Sequence, residues 1–423
     1  MHRVKLDTDR RPVDPAVFDH KWRTVLLLSL AELLAMGLWF SASAVTPTLA
    51  DIWGLNGGQV AWLSMAVTVG FVAGAVLSAL TNLADIYPPR YVFFISAMIG
   101  AAATALISLS SGFLAAVVLR LVTGFVLAGV YPVGMKIMAT WMKEDRGLGI
   151  GLLTGALAIG TASPHLIRAL GGINNWQFVL YVAATLAAVG GLIALWIGEL
   201  GPYRSAPAMF NWRYATDILR DRGLRLANFG YLGHMWELFS MWTWISLFLL
   251  ASYQAAGSEK LLGMSAETAA SLMTFLAIAA SGPSSLLAGW LADRLGRTRI
   301  TIVSLAVSGS CAVLIGFLFG LNPWLVSLLA LVWGFAIAPD SAQYSTAVSE
   351  LSDPKYIGTA LTLQTSMGFL LTLITVRLVP TLVDNIGWRW AFAILALGPI
   401  FGIWAMRRLQ RSPDAARLAG GRG

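Results

Sequence analysis

The sequence predicts an all-α integral membrane protein: twelve transmembrane helices in two pseudo-symmetric six-helix bundles. Composition predicts the membrane. Hydrophobic residues make up 57% of the 423 and charged residues 12%, where a soluble domain carries roughly 25% charged. Spacing predicts the helices. The charges gather in short clusters between apolar stretches, each of about 20 residues, the length that spans a hydrocarbon core about 30 Å thick. An ordered internal repeat predicts the two bundles.

The apolar stretches fall roughly at 24–47, 58–80, 91–110, 113–138, 147–170, 176–198, 227–251, 266–290, 300–320, 323–347, 357–380 and 388–406. Lipid offers no partner for an unpaired backbone amide, so each must be a helix unless the strands close into a barrel. A barrel would alternate apolar and polar residues, and these runs do not.

Residues 1–23 are polar and hold Arg3, Lys5, Arg10, Arg11, Lys21 and Arg23. The apolar run behind them is too long for the core of a cleaved signal, so it reads as a retained first helix behind a tail. Lysine and arginine set orientation. With the tail inside, the same side receives Arg90, Lys143, Arg146, the five arginines between 204 and 225, Arg294, Arg297, Arg299, Lys355 and five arginines after the last helix. The other side holds Lys260, with Arg389 at a helix end. Both termini are therefore expected in the cytoplasm of a cell whose plasma (inner) membrane the chain spans. The net charge of +8 follows from this asymmetry, and no nucleic-acid partner is expected. The single Cys311 excludes an intramolecular disulfide and reads as a small packing residue.

The repeat is legible at four places. Glu32-Leu-Leu-Ala-Met-Gly-Leu-Trp39 returns as Glu237-Leu-Phe-Ser-Met-Trp-Thr-Trp244, and Leu83-Ala-Asp85 as Leu291-Ala-Asp293. Arg168 returns as Arg377 and Trp176 as Trp388. The offset climbs slowly from 205 to 212, as a duplicated unit with small insertions gives. The expected organisation is a tail over 1–23, a first bundle over 24–198, a cytoplasmic linker over 199–226, a second bundle over 227–406 and a tail over 407–423.

Gly289-Trp-Leu-Ala-Asp293-Arg294-Leu-Gly296-Arg297 resembles the loop signature of the major facilitator superfamily, between helices 8 and 9 as that family has it. The loop between helices 2 and 3 is a degraded copy, with Thr81 in place of the glycine, Asp85 kept and Arg90 following. Arg120-Leu-Val-Thr-Gly124 resembles the family's R-x-x-x-G motif in helix 4. The resemblance covers nearly the whole chain and reaches no subfamily of known substrate. It implies alternating access of a secondary transporter, with helices 1, 4, 7 and 10 lining a central cavity. It also implies that Asp293 locks the halves by binding the start of a neighbouring helix, with Arg294, Arg297, Gly289, Gly296, Asp85 and Arg90 in the same gating loops. The alternative for those loops is a set of anchoring charges.

Ionisable residues inside a membrane helix are costly, about 2.5–3.5 kcal/mol each on insertion scales, and mark cavities or partners. Glu32, Arg120, His165, Arg168, His234, Glu237, Asp340 and Arg377 qualify. Except for His165, these residues together with Trp39, Tyr131 and Trp244 make up the expected substrate and proton pathway. Glu32, Met36, Trp39 and Ser43 share one helical stripe, and His234, Glu237, Met241 and Trp244 another. Rings beside placed polar groups suit an organic ligand; an interfacial belt is the plainer reading of the tryptophans. His234 and Glu237, three apart, are expected to face each other as a proton-carrying pair, or as a fixed hydrogen bond. Glu237 ranks above Glu32 because Ser29 stands where a second histidine would. Arg120 is expected beside a carboxylate. Arg168 and Arg377 are expected to act together on an anion through their planar forks, or to snorkel outward.

Helix 5 reads Gly160-Thr-Ala-Ser-Pro164-His165. It keeps the proline of the drug antiporters that the family contains and lacks their paired glycines. No P-loop, metal-ligand spacing or nucleophile triad is present, so neither an enzyme nor a cofactor is expected. The leading expectation is a monomeric, proton-coupled carrier of a small organic solute, with an anion in view. The alternatives are an efflux antiporter for amphipathic or cationic compounds and, remotely, a non-transporting receptor on the same fold.

Overall fold

The structure is a computed structural model that describes residues 15–142, 146–198, 200–203, 214, 216, 218, 220–261 and 263–423. Most of the expected tail and linker, Lys143, and the side chains of Asp85 and Arg146 lie outside the described residues. Twelve helices among them are long and apolar enough to cross a membrane. They are α1 (His20–Trp53), α2 (Gly57–Thr81), α3 (Pro89–Ile107), α4 (Phe113–Trp141), α5 (Leu148–Gly172) and α6 (Trp176–Ala194) in the first half. The second half holds α7 (Arg222–Ala255), α8 (Ala266–Leu295), α9 (Arg297–Leu318), α10 (Pro323–Leu351), α11 (Ile357–Ile386) and α12 (Trp388–Gln410). A two-stranded hairpin, Lys260–Leu261 with Met264–Ser265, joins α7 to α8.

Local chemistry sets the starts. Asn56 and Gln59 form a capping box on α2, and Asn322 caps α10 with Pro323 at its first turn. Exposed Leu, Ile, Phe and Trp residues ring the outside, where lipid replaces water as the solvent.

Within each half, helices pack on their own bundle: α1 on α5 and α6, α2 on α4, α7 on α11 and α12, α9 on α10 and α12. The halves meet along two seams, α2 with α11 and α5 with α8. Two glycines show the repeat in atoms. A side-chain carbon on Gly124 of α4 would overlap the Val67 carbonyl of α2, and one on Gly334 of α10 would overlap the Ala277 carbonyl of α8. Both members of each pair are 210 residues apart between halves. Only glycine lets these backbones touch, which explains the glycine of Arg120-x-x-x-Gly124.

Two helices are broken at matching places. α4 interrupts after Leu127 and resumes at Tyr131. α10 interrupts after Ile337 and resumes at Ser341, with Asp340 at the start of the second segment. Tyr131 and Asp340 are 209 residues apart, so the repeat brings both breaks to the same depth. Irregular backbone at membrane depth is tolerated where it is buried in protein or lines a cavity.

Candidate functional site

The breaks and the central stretches of α1 and α7 gather the buried ionisable groups. Glu32 of α1 is 0% exposed, and neither carboxylate oxygen has a hydrogen-bond partner among the described residues. It fits because α4 has glycine opposite: a side-chain carbon on Gly134 would lie 2.5 Å from Glu32 Oε2. Tyr131, at the α4 break, is close enough to feel the Glu32 charge, with Thr154 of α5 beside its hydroxyl. Across the seam Tyr231 of α7 approaches Tyr131.

In the second half His234 and Asp340, each 1% exposed, meet at 3.0 Å through Nδ1 and Oδ1. This contact is a bond when Nδ1 carries the proton. The His234 ring lies 6.1 Å from that of Tyr231 and 5.8 Å from that of Tyr344. His234 Nε2 has no partner among the described residues, and the Tyr344 hydroxyl stands beside Asp340.

The expected His234–Glu237 pair is not formed. Glu237 turns into its own bundle, where Trp333 Nε1 donates to Oε1 at 2.6 Å and Ser308 Oγ donates to Oε2 at 2.9 Å. Spacing allowed the pair, but two dry donors on α9 and α10 offer the carboxylate more than one imidazole does. Arg120 also departs from expectation. Among the described residues it meets no carboxylate. Its guanidinium donates to the carbonyls of Leu38 (2.7 Å), Trp39 and Leu63 (3.2 Å) and to Ser41 Oγ (3.4 Å), tying α4 to α1 and α2.

Arg168 and Arg377 are separated. Arg377 of α11 is exposed and reaches the start of α2, where a side-chain carbon on Gly58 would lie 3.0 Å from its Nη2. Arg168 of α5 is 3% exposed. They stand on different seams and do not share a site. The two stripe tryptophans diverge as well. Trp244 donates from Nε1 to the Val376 carbonyl at 3.1 Å and packs on Trp388, inside the second half.

Trp39 instead joins an aromatic cluster that bridges the halves. Its ring centroid lies 5.0 Å from Phe71, 5.6 Å from Phe239 and 5.4 Å from Phe369. Phe40 and Trp242 extend the cluster at 6.2 Å. Sequence reasoning missed Phe71, Phe239, Phe369, Phe40 and Trp242, because a phenylalanine in an apolar helix gives no signal of which face it takes. Beside this cluster, towards the α1–α2 turn, two pockets of about 10 Å³ are lined by hydroxyls, among them Ser43, Ser64, Thr68, Thr243, Ser246 and Thr372. That is room for about one water each. On this side the rings close the halves together, and Glu32, His234 and Asp340 at the polar centre are buried.

At the opposite end, the signature loop forms a network within the second half. Arg297 donates to both oxygens of Glu350, at 2.9 and 2.7 Å, and to Gln343 at 2.9 Å. Asp293 sits 3.3 Å from Arg297 and is 52% exposed. Among the described residues it bonds to no helix of the other half, contrary to expectation. The Arg297 fork is already satisfied by a bidentate carboxylate, and Asp293 takes the remaining edge. Arg294 stacks on Trp290, 3.7 Å from the ring centroid, and Arg90 lies over Tyr91 at 5.0 Å. Gly289 is buried. Gly296 adopts φ +100, and a side-chain carbon there would overlap the Arg422 carbonyl of the C-terminal segment. The same segment bonds Asp293 O through Arg422 Nη1 at 2.6 Å. Asp293→Asn keeps these backbone contacts, so it should leave folded yield unchanged while slowing solute exchange in liposomes. Exchange at the unaltered rate would remove Asp293 from the gate.

No group of three or more metal-ligating side chains occurs among the described residues. The profile described as Major Facilitator Superfamily matches residues 28–263 and 228–423. The chain is 28% identical over 258 residues to the uncharacterized transporter YgaY of Escherichia coli, a match spanning 57% of this chain and 61% of that protein's length. It is 26% identical over 314 residues to the putative niacin/nicotinamide transporter NiaP of Bacillus subtilis, covering 70% of this chain and 74% of that one. It is 22% identical over 429 residues to the hexuronate transporter of Escherichia coli, covering 93% and 95%. Among solved structures, the nucleoside transporter NupG superposes with a TM-score of 0.70 at 15% identity, covering 93% of this chain and 100% of the other. A bacterial homologue of the lysosomal transporter Spinster superposes with a TM-score of 0.67 at 12% identity, covering 93% and 99%.

Proposed function

This chain belongs to the Major Facilitator Superfamily, and on that premise we propose that it carries a small organic solute across the membrane by alternating access, coupled to protons, with Glu32 as the main coupling carboxylate. The observation that carries this reading is Glu32 itself: wholly buried at the closed centre, with neither oxygen partnered. An ionised carboxylate so placed is costly. The closed centre therefore suits a protonated Glu32, and a centre opened to water suits its ionised form. A carrier that alternates between those environments takes up a proton on one side and releases it on the other. The His234–Asp340 pair, on α7 and α10, supplies a second proton site within the same centre.

The lysine and arginine asymmetry supports an orientation with both termini in the cytoplasm. The α1–α2 turn then faces outside, with the hydroxyl-lined pockets on the outer approach. A small organic acid is the solute class this reading favours; NiaP and the hexuronate transporter carry names of that kind. A second reading, export of amphipathic cations, is favoured by the unpartnered Glu32 carboxylate and by the Trp39–Phe71–Phe239–Phe369 rings, each of which suits a cation.

The test uses purified protein in liposomes with an imposed pH gradient. Acid outside should drive accumulation of an organic acid with alkalinisation of the bath, and a protonophore should abolish it. Accumulation insensitive to the gradient, with exchange intact, would leave a carrier without proton coupling. Gradient-driven loss of lipophilic cations, with organic acids inert, would establish the second reading.

A further inference from the structure

Arg168 and Arg377 stand at matching places in the two halves, yet they meet opposite fates. Arg377 lies in a continuous α-helix and is exposed beside the start of α2, an outcome open to an arginine whose long stem can carry its charge to water. Arg168 begins a π-helical turn, Arg168–Gly172, and is 97% buried. π-turns re-aim side chains and cluster at functional sites. One turn earlier on the same face stands His165, 99% buried, with both ring nitrogens unpartnered; Arg168 Nε is unpartnered too. Glu267, at the first turn of α8 in the other half, is close enough for its charge to act on Arg168, but it makes no ion pair with it. A buried guanidinium nitrogen with no acceptor is costly. Nothing else among the described residues accepts from this one.

The depth of the pair follows from how α5 packs on α1. A side-chain carbon on Gly160 would overlap the Leu33 carbonyl, and one on Gly37 would lie 2.8 Å from Ser163 Oγ. The helices run in register and in the same direction, so His165 stands at about the level of Trp39.

Resting on the transport reading above, we propose that His165 and Arg168 are the anion-binding element of the solute site, and that the solute is a small carboxylic acid. The Arg168 fork holds the carboxylate and a ring N–H of His165 supplies a further donor. Lysine lacks the planar fork that two carboxylate oxygens need, and the free amide edge of glutamine lacks the charge.

Benzoate, benzamide and inorganic phosphate serve as probes, titrated calorimetrically into the detergent-purified full chain. Benzoate should bind at least about tenfold more tightly than benzamide, which has the ring without the charge. Arg168→Gln should remove that preference, Arg168→Lys should restore only part of it, and His165→Gln should weaken benzoate without affecting benzamide. Arg377→Gln, at the matching place, should bind benzoate as the unaltered protein does. Glu32→Gln should bind it too while losing proton-driven accumulation, so failure of coupling and failure of this site are told apart. If Arg168→Gln does not fold, Arg168→Lys and His165→Gln carry the reading. Equal affinity for benzoate and benzamide, unchanged benzoate binding in Arg168→Lys and His165→Gln, or equal losses in the Arg168 and Arg377 variants would overturn the proposal. Phosphate binding more tightly than benzoate would overturn the carboxylic-acid class.

Discussion

Glu32→Gln abolishes proton-driven accumulation and keeps solute exchange: that is the expected result in liposomes. Glutamine mimics the protonated side chain, so the closed centre, which already holds Glu32 without partners, accepts it with little rearrangement. The proton that must be released on the far side is no longer there. Exchange needs no net release and continues. Accumulation against an imposed gradient should fall at least about tenfold, the effect of about 1.4 kcal/mol on the coupled step. Glu237→Gln is the matched control. Its carbonyl can still accept from Trp333, and Ser308, whose hydroxyl also lies 3.3 Å from the Leu305 carbonyl, can turn to accept from the amide. Accumulation should survive there. Loss in Glu237→Gln with retention in Glu32→Gln would move the coupling site to the second half.

Arg120→Met should cost the fold rather than the coupling. The guanidinium satisfies the carbonyls of Leu38, Trp39 and Leu63 and thereby joins three helices of the first half. No water reaches this depth to replace it. Leaving buried acceptors unmet costs about 1–3 kcal/mol each, so folded yield and unfolding temperature should both drop sharply. Arg120→Lys should recover part of the loss, since an ammonium cannot reach three carbonyls in the geometry of a planar fork. A lysine variant with unchanged unfolding temperature and no proton coupling would instead make Arg120 a relay.

The membrane helices were legible because lipid imposes a simple rule on sequence. A span must be long, apolar and helical, and the expected stretch at 266–290 and the observed Ala266–Leu295 differ by one turn at one end. The repeat was legible because duplicated contacts preserve residue types, as at Gly124 and Gly334. The partners of the intramembrane charges were not legible. Helical spacing says which side chains can share a face; it does not say which neighbouring helix lies opposite. Glu237 had His234 one turn away on its own helix, yet Trp333 and Ser308, 96 and 71 residues along the chain, hold it. His234 turned to Asp340, 106 residues on, because a break in α10 placed that carboxylate at its ring.

By itself, then, the sequence determined that this chain spans the bilayer as two related six-helix units, and which residue types sit costly and charged within them. Burial in lipid acts on each segment separately, so each segment's own residues suffice to specify it. Tertiary structure alone decided which charges are satisfied and which are left over. Arg120 found carbonyls, Glu237 found donors and Arg377 found the surface, while Glu32, His165 and Arg168 kept unpartnered atoms. Satisfaction of a buried polar group depends on distances of about 3 Å between helices far apart in the chain, and only packing sets those.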